Sequence, residues 1–218
     1  MKIPGELVRL KWFIRPFIIN AYLKRNKEPK LHLGSGEHII PGFLNGDKFM
    51  ANADIYLDLY RHFPFKSNTF TKVYSEHLLE HINTNKVHLF LSEVYRVLKN
   101  DGIFRLTCPD FDIYAHNYVN QNNDFYNKVI DNLSGKRKRD PELTWILRSN
   151  AGCFVASILK DYHNHKWMYD FSTIESCLKE VGFREVTKRD YGKSLDRELG
   201  ALDLEMRKFE TLYVDAIK

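Results

Sequence analysis

The chain has 218 residues, of which 44% are hydrophobic and 28% are charged, and its net charge is +5 at neutral pH. This length suits one α/β domain with a sizeable core, and the composition excludes fibrous and low-complexity proteins. The mild basic excess permits an anionic substrate but does not require a nucleic acid. The three cysteines have no metal-type spacing. Scattered thiols of odd number favour a reducing compartment, so we expect a cytoplasmic protein.

Residues 1–28 are predicted to form an N-terminal helical arm. The apolar stretch from Leu7 to Leu23 is interrupted by basic residues, so it lacks the roughly 20 uncharged residues that a membrane-spanning helix needs. Pro16 predicts a break in any continuous helix. Two interpretations stay open: the arm packs on the domain or on a second subunit of a homodimer, or it makes peripheral membrane contact, with Trp12 and Phe13 at the interface.

After the arm, short apolar runs alternate with helix-length segments, which predicts βαβ units and a doubly wound parallel sheet over residues 29–218. The predicted strands are 30–33, 43–47, 55–57, 72–75, 103–107, 183–188 and 211–217. Residues 86–98 and 172–181 have helical periodicity. The Asn100-Asp101-Gly102 sequence is predicted to end the first of these helices before the fifth strand begins.

The segment at about 111–162 interrupts this alternation and is rich in Asn and Tyr. We expect it to be a helical insertion on the substrate side of the domain. Its basic run, residues 136–139, is either a solvated turn or a binding patch for a phosphate-bearing acceptor.

The glycine turn Gly34-Ser35-Gly36 follows the first predicted strand. Glycine lets the backbone approach a ligand closely, and this position in a doubly wound sheet lies beside the ligand-binding switch point. Asp47 and Asp58 end the next two strands. The first carboxylate can accept both hydroxyls of a ribose, and the second can reach an adenine amino group. Either one alone is equally well explained as a turn or cap residue.

Five segments resemble, in order, the type-11 class I methyltransferase domain. They are LHLGSG (31–36), FLNGD (43–47), DLYRHFPFKSNTF (58–70), VYSEHLLEHI (73–82) and EVYRVLKNDGIFRLTCPD (93–110). The last two are the most discriminating, and YDFSTIESCLKEVGFREV resembles the closing helix and strand of the family. The resemblance implies a seven-stranded, mostly parallel Rossmann-like sheet with an antiparallel last strand, and S-adenosyl-L-methionine (SAM) as cofactor.

The resemblance also implies a set of cofactor-binding residues. They are Gly34, Ser35, Gly36, Asp47, Asp58, Leu59, Ser75, Glu76 and His77. The glycine turn would lie against the methionyl part of SAM, Asp47 would hold the ribose, and Asp58 with Leu59 would hold the adenine edge. The residues after the fourth strand would line the sulfonium side. The chain departs from the family pattern at His32, at His38 and at the Asn100 turn.

An acceptor hydroxyl or amine must lose a proton, and a histidine suits that role. The candidates are His77, His81, His163 and His165, of which His77 and His163 are predicted to be catalytic. We interpret His81, one helical turn after His77, as a packing residue. The His163–His165 pair suggests a metal at first sight, but no third ligand of matching spacing is evident, so no metal site is predicted.

The predicted function is therefore methyl transfer from SAM to a small-molecule or glycan acceptor, with a hydroxyl as the expected acceptor group. A nucleic-acid partner is not expected because there is no basic face with interleaved aromatic residues. A catalytically silent scaffold or partner subunit is an alternative, favoured by His38 and the Asn100 turn. A nicotinamide-dependent enzyme shares the strand–glycine–acid pattern, but the missing third glycine argues against it.

Overall fold

The protein is described from a computed structural model that covers residues 5–50, 52–134 and 165–218. Helices in these ranges are α1 (Gly5–Arg25), α2 (Thr84–Val97), α3 (Phe111–Val119), α4 (Asn123–Ser134), α5 (Phe171–Glu180) and α6 (Arg197–Gly200). Strands are β1 (Lys30–Leu33), β2 (Leu44–Asp47), β3 (Ile55–Tyr56), β4 (Phe70–Glu76), β5 (Leu98–Pro109), β6 (Glu185–Arg189) and β7 (Thr211–Ile217).

The predicted fold class is confirmed. The strands form one seven-stranded sheet in the order β3-β2-β1-β4-β5-β7-β6. Strands β1 to β5 pair in parallel, whereas β7 runs antiparallel between β5 and β6. The central strands bury apolar side chains such as Leu31, Leu33 and Val73, and the apolar stripe of α2 belongs to the same core. The residues of that stripe are Phe90, Leu91, Val94 and Val97.

The predicted turn between α2 and β5 is wrong. Strand β5 begins at Leu98, directly after the last residue of α2, and runs through Asn100-Asp101-Gly102. Asp101 adopts the left-handed conformation with φ 61°, and its backbone N–H donates to Lys218 O of the chain end. The register against β4 shifts between Phe70 and Lys72. The residues that signal a turn therefore produce an irregularity within the strand, stabilised by pairing with the C-terminus.

The predicted helix break at Pro16 is also wrong, because α1 continues through this residue. Proline removes one intrahelical hydrogen bond, so contacts elsewhere must hold the helix together. Such contacts lie on both sides of it. Lys11 Nζ donates to Ala53 O, Arg15 donates to Tyr56 O, and Ile19 is buried in the core. Tertiary contacts with β3 and the loop before it therefore override the local preference of the proline.

The outer face of α1 exposes large apolar side chains: Trp12, Phe13, Ile14 and Phe17. No helix among the described residues has the length and apolarity needed to cross a membrane. The two interpretations of this arm, protein packing and peripheral membrane contact, stay predictions. Helices α3 and α4 begin the predicted insertion, whereas its basic run 136–139 and His163 lie outside the described residues.

Tyr22 connects α1 to the first strand of the sheet. Its hydroxyl accepts a hydrogen bond from Lys30 N at 2.9 Å and lies 2.8 Å from Lys30 O and 3.0 Å from Gly42 O. We expect Tyr22→Phe to lower the free energy of unfolding by about 1–2 kcal/mol, because it leaves the Lys30 N–H without its partner. Urea unfolding measures this change. Tyr118→Phe, at an exposed position, is the matched control, and equal losses in the two variants would contradict the assignment.

Candidate active site

The carboxyl ends of β1, β2, β4 and β5 meet at one edge of the sheet, and the glycine turn after β1 lies there. Gly34 and Gly36 have φ of 63° and 53°, in the left-handed region that favours glycine. A Cβ at Gly34 would lie 2.5 Å from Leu78, whereas a Cβ at Gly36 would meet no atom closer than 4.0 Å. The turn is therefore packed at Gly34 against the loop that follows β4, and at Gly36 it is open to a ligand.

Asp47 ends β2 and connects this strand to the glycine turn. Its Oδ2 accepts a hydrogen bond from Gly36 N at 3.0 Å, and its Oδ1 accepts from Phe49 N at 2.7 Å and Met50 N at 3.0 Å. A carboxylate offers about four acceptor positions, so capacity remains for a further donor. The structure thus brings Asp47 to the glycine turn in an orientation that suits a ribose hydroxyl.

Asp58 lies two residues beyond β3 on the wall of a cavity of about 380 Å³. The cavity is otherwise lined by Trp12, Phe13, Arg15, Tyr56, Leu57, Arg61, His62 and Pro64. Two cations face the carboxylate, with Lys48 Nζ at 3.1 Å and Arg61 Nε at 3.5 Å. Leu59 is half-buried and packs against the core. The cavity combines aromatic and apolar walls with one carboxylate and the basic side chains of Arg15, Arg61 and His62, and it has room for a flat base that carries an amino group. The contribution of α1 to this cavity was not predicted.

Three buried hydroxyls at this edge have no hydrogen-bond partner in the described part of the chain. They are Ser35 Oγ after β1, Ser75 Oγ in β4 and Thr107 Oγ1 in β5. Unpaired buried hydroxyls are costly, and their usual explanation is a partner supplied by water or a ligand. The edge therefore fits the polar methionyl end of SAM. Thr107 is not among the predicted site residues, although it lies in the discriminating 93–110 segment.

Glu76 ends β4 opposite the glycine turn. Its Oε2 lies 3.4 Å from His38 Nδ1. Burial raises the pKa of the Glu76 carboxyl, and the neighbouring His77 and His38 offset part of that shift. His38, which replaces a family glycine, therefore connects the glycine turn to the end of β4.

His77 follows β4, as predicted, but its ring turns into the protein. Nε2 lies 2.9 Å from Thr211 Oγ1 on β7, and Nδ1 lies 3.3 Å from Glu80 Oε1. Thr211 Oγ1 donates its own proton to Arg207 O, so it must accept from Nε2–H. Only 9% of the side chain is exposed. This geometry favours a positioning role, and the catalytic role of His77 stays a prediction.

A cluster of imidazoles surrounds Glu80 in the short 3₁₀ turn Leu79–His81. Glu80 is 1% exposed, and the His81 and His165 rings are 4.8 Å apart between centroids. The Lys166 N–H donates to Glu80 O at 2.6 Å, which fixes His165 beside the turn. Burial acts to raise the pKa of Glu80, but His77, and after it His81 and His165, outweigh burial and lower it. The sequence pattern indicates no role for Glu80 and predicts only packing for His81.

His32 lies in β1 beneath the glycine turn, and its Nδ1 is 3.1 Å from Asn45 Oδ1. Burial lowers its pKa from 6.5 to about 4. The folded state therefore binds this proton less well than the unfolded chain, so stability falls as the pH falls from about 6.5 towards 4. We expect this residue to contribute a loss of about 2 kcal/mol between pH 7.5 and pH 5.

Urea unfolding of the wild type, His32→Asn and the exposed His88→Asn across this pH range measures the effect. His32→Asn should remove that part of the pH dependence, whereas His88→Asn should retain it. An unchanged slope in His32→Asn would show that the buried ring does not carry the effect.

Residues 44–106 match the family described as "Methyltransferase domain". A SAM-dependent methyltransferase from Archaeoglobus fulgidus has a similar structure, with 14% identity, a TM-score of 0.51, and coverage of 97% of this chain and 94% of that one. This likeness shows the fold. No curated protein sequence matches the chain.

Two further solved structures are similar over most of this chain. A Thermotoga maritima SAM-dependent methyltransferase, described as a possible histamine N-methyltransferase, is 12% identical, with a TM-score of 0.49 and coverage of 94% of this chain and 92% of that one. Phosphoethanolamine N-methyltransferase 2 of Haemonchus contortus, in complex with SAM, is 14% identical, with a TM-score of 0.48 and coverage of 91% and 51%.

The sheet topology, the glycine turn and the matched domain define a SAM-dependent methyltransferase of class I. More narrowly, residues 44–106 match the methyltransferase-domain family, and the sequence motifs resemble its type-11 form. Its cofactor is SAM, and the unpaired hydroxyls and open glycine turn at the sheet edge fit this cofactor.

Proposed function

We propose that this methyltransferase acts on a hydroxyl group of a small molecule or a glycan. The observation that carries the proposal is the imidazole cluster, which consists of His77, Glu80, His81 and His165. It follows β4 directly, and Leu78 within the same loop packs against Gly34 of the glycine turn. Groups that can move a proton therefore lie beside the part of the fold that receives the methionyl end of the cofactor.

Such a cluster matters more for a hydroxyl than for an amine. SAM, when bound, supplies a methyl group already activated on a sulfonium, so the protein mainly aligns donor and acceptor. A neutral amine attacks through its own lone pair and can lose its proton afterwards. A hydroxyl is a weak nucleophile until its proton is taken, which needs a base within hydrogen-bond reach. We assign this role to the imidazole cluster. The predicted catalytic histidines are still His77, which belongs to the cluster, and His163, which lies outside the described residues.

The proposed cofactor contacts follow the geometry of the sheet edge. Gly34, Ser35 and Gly36 would hold the methionyl end, together with Ser75 and Thr107. Asp47 would accept a ribose hydroxyl through its remaining acceptor position. Asp58, Leu59 and the cavity beneath α1 would take the adenine. Glu76 would line the sulfonium side, opposite His38.

Trp167 supports a sugar as acceptor. It lies two residues after His165 and is 53% exposed, so its ring is available beside the cluster. Tryptophan rings offer a large apolar face, which suits the apolar face of a sugar. The proposal therefore includes glycans and nucleotide sugars among the acceptors.

The test is methyl transfer from isotopically labelled SAM to matched acceptors. The panel contains free sugars, nucleotide sugars, oligosaccharides and phenols, with biogenic amines and phosphoethanolamine as the comparison arm. We expect labelled O-methyl ethers, identified by mass spectrometry and NMR. Exclusive N-methylation would overturn the proposal. Binding of SAM without turnover on every acceptor would favour the catalytically silent alternative.

A further inference from the structure

We propose that Glu80, His81 and His165 bind a divalent transition-metal ion. One ligand atom from each residue can be chosen so that all of them lie within 4.8 Å of one another. Ligands that share a tetrahedral ion at about 2.0–2.1 Å lie roughly 3.3 Å apart. The longest separation therefore needs to close by about 1.5 Å, which side-chain rotation at the two half-buried histidines can supply.

The carboxylate of Glu80 provides the second observation. It is fully buried, and neither of its oxygens has a well-aligned hydrogen bond in the described part of the chain. The nearest groups to Oε1 in that part are imidazole nitrogens, His77 Nδ1 at 3.3 Å and His81 Nε2 at 4.0 Å. A buried carboxylate requires a hydrogen-bonded counter-charge or a metal. An ion between Glu80, His81 and His165 would supply both the charge and the bond.

The donor set indicates which ions the site would take. Two imidazoles and one carboxylate suit Zn²⁺, Co²⁺ or Mn²⁺, whereas Mg²⁺ and Ca²⁺ prefer oxygen ligands alone. Three protein ligands leave at least one coordination position for water or substrate. His81 is 37% exposed, so that position can open towards solvent. The backbone bond from Lys166 to Glu80 holds the distant ligand His165 in place, which spacing along the sequence does not reveal.

The role of the ion rests on the proposed function, although its binding does not. With an ion bound, His81 and His165 would serve as ligands and not as bases. The ion would bind the acceptor hydroxyl and lower the pKa of that group, and the proton would leave to solvent water. His77, in contact with Glu80 on the opposite side, would position the carboxylate ligand as outer partners of metal sites commonly do.

The test uses the full chain after dialysis against EDTA. ZnCl₂ is titrated by calorimetry, and CoCl₂ is titrated by visible absorption, which reports nitrogen and oxygen coordination. We expect one ion per chain and a rise in melting temperature on zinc addition. His81→Ala should weaken binding by at least about tenfold and remove the thermal shift, whereas the exposed His88→Ala should leave both unchanged.

Glu80→Gln is the second variant and should also lose the cobalt spectrum. If Glu80→Gln does not fold, the half-exposed His81→Ala still decides the question. Absence of stoichiometric binding by the wild type, or equal binding by His81→Ala, would overturn the site. If the chain binds the metal but does not O-methylate any acceptor, the proposed function is wrong and the metal site stands. If the chain O-methylates an acceptor but binds no metal ion, the metal site is wrong and the proposed function stands.

Discussion

Replacing Asp47 with alanine is expected to weaken SAM binding by at least about tenfold. The carboxylate lies at the end of β2 against the glycine turn and retains acceptor capacity there. One charge-assisted hydrogen bond to a ribose hydroxyl contributes roughly 1.5–3 kcal/mol relative to an apolar replacement. Titration calorimetry with SAM and with its demethylated product measures the loss directly.

Asp47 also organises the turn, so a fold control is needed. Asp47→Asn keeps the size and one acceptor oxygen, and we expect it to fold with a smaller loss of affinity. Asp124→Asn replaces an exposed carboxylate in the first turn of α4 and should bind SAM as the wild type does. If Asp47→Ala and the wild type bind SAM with equal affinity, Asp47 does not contact the ribose, whatever the activity of the variants.

Replacing Arg105 with alanine is expected to lower the free energy of unfolding by about 3–5 kcal/mol. Arg105 in β5 is fully buried and forms two hydrogen bonds to Asp203, at 3.2 and 2.5 Å, and one to Asp215 in β7 at 3.0 Å. Alanine would leave the buried Asp203 carboxylate without its cation and Asp215 with only Arg189, whose Nε lies 3.5 Å away. Removing the cation of a buried carboxylate is the costly case for buried ion pairs. Urea unfolding followed by circular dichroism measures the change.

Two further variants show whether the ion pairs carry this effect. Arg105→Lys keeps the charge but cannot reproduce the forked geometry, so its loss should be intermediate. Arg61→Ala removes a cation whose side chain is 82% exposed and should stay within about 0.5 kcal/mol of the wild type. A loss of less than about 1 kcal/mol in Arg105→Ala would contradict the stabilising role of this cluster.

The sequence predicts the sheet well because hydrophobic periodicity and strand-end residues are local signals. Strand β1 and strand β7 have the predicted bounds, and the fold class follows from the alternation of short and long segments. The local signals at Pro16 and at Asn100–Gly102 mislead, because tertiary contacts decide both places. Arg15 and Lys11 hold α1 against the β3 region, and the C-terminus pairs with Asp101.

The candidate site likewise contains residues that local sequence signals predict and residues that only tertiary contacts bring together. The glycine turn, Asp47 and Asp58 were predictable because they follow strands in a fold whose strand ends meet. The partnership of Glu80 and His81 with His165 was not predictable, because a single backbone bond from Lys166 brings distant segments together. The inward orientation of His77 depends on Thr211 in β7, a contact between residues far apart in the sequence.

Binding of the demethylated cofactor to the wild-type chain tests the central claim most directly. Titration calorimetry should show one site per chain with a Kd in about the micromolar range. A crystal of that complex should place the ribose on Asp47 and the methionyl end against the hydroxyls of Ser35, Ser75 and Thr107. Absence of binding to both SAM and its product, under conditions where the chain is folded, would contradict the account.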